Sequence, residues 1–478
     1  MSGNAVAPLR SVLVVGGGVV ALTAAIAFAR ALPGATVTLL PTAVAPDALA
    51  DRLPLVLPSA RATLDRFGID ADALIAAGAA QERLATRFAD WSTTGAAWLV
   101  GDGAALPATG MALHQLWLRA GGNTGDAGIP PYHLLVPTAV QALAGDARGG
   151  GAPDLVETAL RLEPDRAVAA LARIARAPGV GVPHPATALA GVERDAHGIA
   201  AVILADGRRL VADLVIDAAG ATSPLADPDA GNDDWSTALP CDRLLIGTAS
   251  AGRSTLDDYR AIEIGWRARW PGMEALGFAS VVTTDKAARR VFGAAGNAAT
   301  SVAIAPGRRP RPWVGNVLAL GDAAARPGPL GLAGYSLALA ALALALDLLP
   351  GRAMEPALLT EYNRRAALRA DRLRDYLAAH YWGGGRMRGA FWHALRRHQR
   401  PAALGDTLEQ FARRGSLPHA EEDGVGRDAW LAVLLGQGIR PVRADPVALG
   451  VPVTVAADTI ASMAARLATD PGARAHAA

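Results

Sequence analysis

The chain has 478 residues, a formal net charge of +2, and 51% hydrophobic against 19% charged residues. Such a composition describes a globular protein able to bury a large core, with length for two or three domains or one large fold with an inserted part. The near-neutral balance gives no electrostatic case for nucleic acid, and the single cysteine, Cys241, excludes an intrachain disulfide and a cysteine metal cluster while being compatible with a reducing compartment.

Ser11 to Val15 is a short β-branched apolar run, which predicts a buried parallel strand. Gly16, Gly17 and Gly18 turn the chain, Val19 to Arg30 carries no helix breaker, and Pro33-Gly34 stops that helix before the next strand, Ala35 to Leu40. This is a βαβ unit with G-x-G-x-x-A spacing over Gly16, Gly18 and Ala21, so backbone N–H groups and a helix N-terminus can approach a pyrophosphate. The acid that usually follows the second strand to bind a ribose is missing. Leu40 is followed by Pro41, and the nearest acid considered is Asp47. Residues 11–29 also resemble a signal-peptide core, but the glycine turn and the following strand favour the nucleotide-binding start.

Leu53 to Leu74 predicts a strand fragment and a helix, and Leu84 to Trp91 alternates like a strand. Residues 100–112 read as a loop, and 121–153 as a Gly-rich surface loop on either side of Pro137 to Ala144. Pro164 to Arg176 is an amphipathic helix with Asp165 near its start and arginines near its end, as the helix dipole favours. From Leu189 the pattern is strand, turn, strand, with Asp206-Gly207 a hairpin signal, and Leu214 to Gly220 is a strand ending in small residues. LLIGTA, AIEIGW and GFASVVTT between 235 and 305 predict an antiparallel sheet on the substrate side. Trp313 to Leu320 then predicts a buried strand ending in Gly321-Asp322, followed by a long Leu/Ala helix and further helices beyond Pro350. Leu330 to Leu349 is long enough to test as a membrane span, but Gly331, Gly334, Tyr335 and Asp347 interrupt it and a buried core helix is expected. The protein is therefore expected to be soluble and cytoplasmic, with no nucleic-acid or membrane partner. No His, Asp and Glu cluster has metal-ligand spacing.

A strand ending in Gly-Asp, followed by small residues and a helix, late in a chain that begins with G-x-G-x-x-A, resembles the FAD-binding fold of aromatic hydroxylases and flavin-dependent halogenases. Asp234 to Asp242 (DWSTALPCD), Gly265-Trp266 to Pro271, Glu361 to Arg365, Arg374-Asp375-Tyr376, His380-Tyr381 and Phe391-Trp392 narrow the resemblance to the flavin-dependent tryptophan halogenase family across nearly the whole chain. It implies an α/β fold: a Rossmann-like FAD-binding part from about 9–60, 155–225 and 310–350, interleaved substrate-side segments at about 61–154 and 226–309, and a helical region over 351–478. It implies FAD as cofactor, bound by Gly16, Gly18, Ala21, Gly321, Asp322, Gly331 and Gly334, a separate reductase supplying reduced FAD, and an aromatic, indole-like substrate with halide possible. In the family, reduced FAD and oxygen oxidise halide, hypohalous acid travels to a lysine beside the substrate, and a glutamate assists.

The pattern departs from the family where chemistry is done. Counting back from Trp91 puts Arg83 at the lysine position, and arginine is planar and not equivalent. Trp266 and Pro271 are kept while the second tryptophan of the motif is Ala268. Both acids of an E-P-L-E pattern are glycines, in Gly328-Pro329-Leu330-Gly331, and Leu53-Pro54 stands about where a Gly-Glu pair belongs. Arg83 and Trp266 are the candidate catalytic residues. Two readings follow: an FAD-dependent halogenase or monooxygenase, or a non-catalytic relative that binds flavin weakly or binds an aromatic ligand. An NAD-dependent dehydrogenase would rest on the first glycine turn alone and leaves Gly321-Asp322 unexplained. His380, His393 and Cys241 read as structural.

Overall fold

The strand predicted at the start of the chain is β1 (Ser11–Val15), the second-from-edge strand of a five-stranded sheet in a computed structural model. The described residues are 7–469, apart from 93–94, 106–110, 125–127, 149–157, 183–187, 228–229, 250–253, 294–295, 297, 383–387 and 418–420. They fall into two compact units, one of Met1–Gln81, Leu160–Trp235 and Ala305–Arg372, the other of Glu82–Ala159, Ser236–Ile304 and Leu373–Ala478.

In the first unit, β1 leads through the glycines into α1 (Val19–Ala31), then β2 (Thr36–Leu40) and the short helix α2 (Leu49–Arg52). Its later segments supply β3 (Leu214–Asp217), β4 (Val317–Ala319) and α3 (Gly334–Asp347). β1 pairs in parallel with β2 and β3, and β3 in parallel with β4. Val12 to Val15 are all buried, as a parallel strand covered on both faces requires. One face is closed by α1 and α3, whose Ile26, Phe28, Leu339 and Leu342 share a core with Val12, Val14 and Ile216. The other is closed by an antiparallel meander, Leu189–Asp195, Gly198–Leu204 and Arg209–Leu210, through Ile199, Val202 and Leu204. The expected single strand from Trp313 to Leu320 is instead a hairpin, Trp313–Val314 against β4. Gly315 breaks it with φ of 54°, and a Cβ there would lie 2.1 Å from the His197 carbonyl oxygen. One helical stretch, Leu330–Asp347, is long and apolar enough to cross a membrane, and 56% of it is buried inside the protein.

The second unit is built on a seven-stranded sheet in the order Thr300–Ala303, Arg243–Thr248, Met273–Phe278, Gly265–Trp270, Leu256–Ile262, Ala85–Ala89 and Trp98–Gly101. All pairings are antiparallel except Leu256–Ile262 with Ala85–Ala89. The antiparallel expectation for 235–305 is met, with one correction. The strand in GFASVVTT ends at Phe278, and Thr284 caps a helix, Asp285–Phe292, by accepting the Ala287 N–H. The stretch between the expected Gly-rich loops, Pro137 to Ala144, lies in a helix, Pro137–Arg148, that runs four residues into the expected loop, with Ala139 and Ala142 buried beside Val136 against Leu84, Ala85 and Leu99. Residues 125–127 and 149–153 of that expectation lie outside the described residues. Helices follow at Ala390–Leu395, Ala402–Arg414, Arg427–Gly436 and Val453–Thr469, in the region expected to be helical.

Candidate functional site

The glycine turn holds backbone where side chains cannot fit. A Cβ on Gly16 would lie 2.5 Å from the Ala218 carbonyl oxygen and 2.8 Å from the Ala21 Cβ, which also explains why Ala21 is small. The two other glycines are approached by the chain itself. A Cβ on Gly17 would lie 1.9 Å from the Thr42 carbonyl oxygen, and one on Gly18 would lie 2.2 Å from Asp51 Oδ1. Gly18 precedes the first residue of α1 and has no side chain to cap it, so the helix exposes amide donors there. Asp51 fills that position from α2: its Oδ1 accepts the Val20 N–H at 2.9 Å.

Gly321 and Asp322 follow β4. Gly321 adopts φ of 59°, and a Cβ there would lie 3.2 Å from Val20, so the late Gly-Asp turn packs directly on the start of α1. Asp322 Oδ2 accepts the Ala50 N–H at 2.8 Å. Gly334 opens α3 and faces the same residue, since its Cβ would lie 3.3 Å from the Ala50 Cβ. Thr23 and Tyr335 join α1 to α3 through a 2.7 Å hydroxyl contact, and Ser336 accepts the Leu57 N–H while donating to the Leu55 carbonyl. Asp51 and Asp322 are both buried. Burial pushes the Asp51 carboxyl up to about 6, against the pull of the Val20 N–H and the Arg52 guanidinium. Burial pushes Asp322 up to about 8, against the Ala50 N–H, with the neighbouring Asp51 charge adding to the rise. Gly331 lies in the turn Leu330–Leu332 before α3 with φ of 72°, and Gly328 has φ of 78°. Both positions of the missing acids thus hold a left-handed backbone that favours glycine.

Arg83, in the second unit, is locked. Its Nε donates to Asp102 Oδ2 at 2.7 Å and one terminal nitrogen to Asp102 Oδ1 at 2.6 Å, while the other reaches Asp257 Oδ2 at 3.3 Å. All three side chains are at most 5% exposed. Burial alone would lower the affinity of Arg83 for its proton, and the two carboxylates more than reverse that. The planar fork fits this bidentate geometry as an ammonium could not. Lys286 is the only lysine in the chain, exposed on the helix Asp285–Phe292.

Trp266 is fully buried in the same unit. Its Nε1 donates to the Tyr381 hydroxyl at 3.1 Å, and its ring lies over Gly277, where a Cβ would come within 2.4 Å. Ala268 pairs across the sheet with Tyr259 and Ala275. Phe88, Trp91, Trp98, Tyr259 and His380 pack ring against ring beside it. His380, buried and pushed down to about 4, is neutral and directs Nδ1 at the Tyr376 carbonyl. Cys241 is buried 3.7 Å from the Tyr381 hydroxyl, and burial pushes its thiol up to about 12, so it is no nucleophile. His393 is exposed.

The profile of the tryptophan halogenase family matches residues 11–452. The chain belongs to the tryptophan halogenase family. Its members are flavin-dependent oxidoreductases of aromatic substrates, and FAD is the cofactor. The tryptophan 7-halogenase KtzQ of Kutzneria sp. (strain 744) is 26% identical over 453 residues, covering 86% of this chain and 82% of that enzyme. The tryptophan 7-halogenase RebH of Lentzea aerocolonigenes is 27% identical over 236 residues, 45% of this chain and 44% of RebH, so that match spans less than half of either protein. Among solved structures, the flavin-dependent halogenase BrvH from Brevundimonas sp. BAL3 superposes with a TM-score of 0.87 at 23% identity, covering 98% of both chains. Xcc4156, a flavin-dependent halogenase from Xanthomonas campestris, gives 0.84 at 25% identity, covering 97% of this chain and 96% of that one.

The parts needed for a dinucleotide therefore meet in one place: the glycine turn, the start of α1, Asp322 and the start of α3. Their chemistry would suit FAD, since the start of α1 offers amide donors and Asp322 a hydrogen-bond acceptor. Sequence reasoning missed Asp51, which no motif marks, and the partners of Arg83, which lie 19 and 174 residues away in the chain.

Proposed function

We propose that this chain is an FAD-dependent oxidoreductase acting on an aromatic, indole-like substrate, with reduced FAD delivered by a separate flavin reductase in the cytoplasm. The observation that carries it is the packing of Gly321-Asp322 on Val20 at the head of α1, which unites the two halves of an FAD signature. Gly16, Gly18 and Ala21 would let the pyrophosphate approach, Asp322 would hold a sugar hydroxyl, and Gly331 and Gly334 would bring the start of α3 toward the isoalloxazine ring. Bound reduced FAD supplies the two electrons with which oxygen is activated. Arg83 and Trp266 enter as framework: Arg83 fixes two buried carboxylates, and Trp266 with Tyr381 fills the core under the sheet. No lysine step is assigned at position 83, so halogenation by the family's lysine route is not the proposal. Oxygenation, or halogenation guided by another group, is.

The second reading, a non-catalytic relative, is favoured by the engaged state of Arg83 and by glycine at both acid positions. The test is incubation of purified protein with FAD, a flavin reductase, bromide and indole, with products resolved by mass spectrometry. Oxygenated or brominated indole supports the enzyme. Peroxide release with unchanged indole supports the non-catalytic relative.

A further inference from the structure

We propose that residues 42–52 form a built-in plug on the FAD site, in which the Asp51 carboxylate occupies the seat of the cofactor's pyrophosphate and must leave before FAD enters. This rests on the flavin reading of the same site. Three residues, Thr42, Ala50 and Asp51, define the plug. Thr42 lies across Gly17 and Asp51 across Gly18, so the close approach that these glycines permit is used by the chain's own atoms. Asp51 accepts the Val20 N–H, one of the amide donors that α1 would offer a phosphate oxygen. Ala50 then takes up the other two parts of the site, donating its N–H to Asp322 and standing against Gly334 at the start of α3. A single short helix thus engages Gly18, Asp322 and Gly334, three of the positions assigned to the cofactor. A carboxylate at an uncapped helix start is the chemical mimic of a phosphate oxygen.

α2 has four residues and is held by the Val20 and Val19 amides on Asp51, by the Ala50–Asp322 hydrogen bond and by the burial of Leu49 and Ala50. Its other polar anchors are local, with Arg52 donating to the carbonyls of Val44 and Ala45. The groups facing Asp51 are Arg52 on its own helix, Asp322 and Tyr335. The apparent affinity for FAD is the intrinsic affinity reduced by the fraction of molecules in which the plug is open.

The experiment titrates natural protein, Asp51→Ala and Asp51→Asn with FAD and, separately, with ADP, which carries the pyrophosphate without the flavin. Asp51→Ala is expected to bind both ligands at least about threefold more tightly than natural protein, with Asp51→Asn in between. Equal or weaker binding of both ligands by Asp51→Ala would overturn the plug. A gain for ADP with no binding of FAD by any form keeps the plug and rejects the flavin reading. Amide hydrogen exchange on natural protein gives a readout that needs no variant. On FAD addition the Ala50 amide is expected to lose protection as it leaves Asp322, and increased protection of Ala50 would contradict the proposal.

Discussion

Gly18 in the first unit and Arg83 in the second both stand where the family resemblance places function, and both are met by carboxylates of the same chain. The two engagements differ in kind. Asp51 reaches Gly18 from a four-residue helix and accepts the Val20 N–H there. Arg83 is gripped from a sheet by Asp102 through two bonds and by Asp257 through a third, all buried. Release of Asp51 moves a loop, whereas release of Arg83 leaves two carboxylates in the core. The proposed plug covers the cofactor unit, while the position aligned with the family's lysine sits in a buried ion-pair cluster.

The largest effect comes from breaking that framework. Arg83→Ala leaves Asp102 and Asp257 uncompensated and should cost about 3–5 kcal/mol, read as a fall in denaturant midpoint or a failure to fold. Arg83→Lys keeps a charge but loses the fork, so it should destabilise by less, and no brominated indole should appear because the new amine remains held by Asp102. Bromination by Arg83→Lys alone would show that the position is catalytic after all.

The buried acids of the first unit give the next effect, through pH. Both folded-state values are raised above the ordinary carboxylate range, so their stabilising contribution is full in acid and falls as pH rises, through about 6 for Asp51 and about 8 for Asp322. Between pH 6 and 8 the loss due to this pair belongs mainly to Asp322, at up to about 1.4 kcal/mol per pH unit. FAD-free Asp322→Asn keeps an acceptor for the Ala50 N–H and should lose that slope in melts recorded from pH 5.5 to pH 8. A parallel slope in the variant would contradict the assignment.

Gly16→Ala should follow. Its Cβ would press on backbone at Ala218, so a loss of about 1–3 kcal/mol and of flavin affinity together is expected. Gly328→Glu should be the mildest, about 1–2 kcal/mol, because only its positive φ resists a side chain and the nearest atom to a Cβ is 3.9 Å away. Combined with Arg83→Lys, it should still yield no halogenation.

Much of the fold could be read from the chain because it is written in local pattern. The run Ser11 to Val15, the glycines and the breaker at Pro33-Gly34 carry their own geometry. So do the Asp206-Gly207 turn and the short alternating strands of the second sheet. The identity of Pro137–Arg148 as a helix was not legible, since it is anchored by burying Ala139 and Ala142 in a core the local pattern does not announce. The hairpin at Gly315 was hidden because apolar residues run through it on both sides. At the site, Gly16, Gly18, Gly321 and Asp322 were visible as motif. The carboxylate that closes on them was not, because Asp51 acts through a tertiary contact 31 residues from Val20. The same reason concealed the fate of Arg83, whose partner Asp257 lies on another strand.

The first unit is expected to hold FAD. The measurement closest to it is a titration of FAD-free protein with FAD, followed through the visible flavin band and flavin fluorescence. Saturable one-to-one binding with a shifted band is the predicted result, and a spectrum that stays that of free flavin throughout the titration would contradict it.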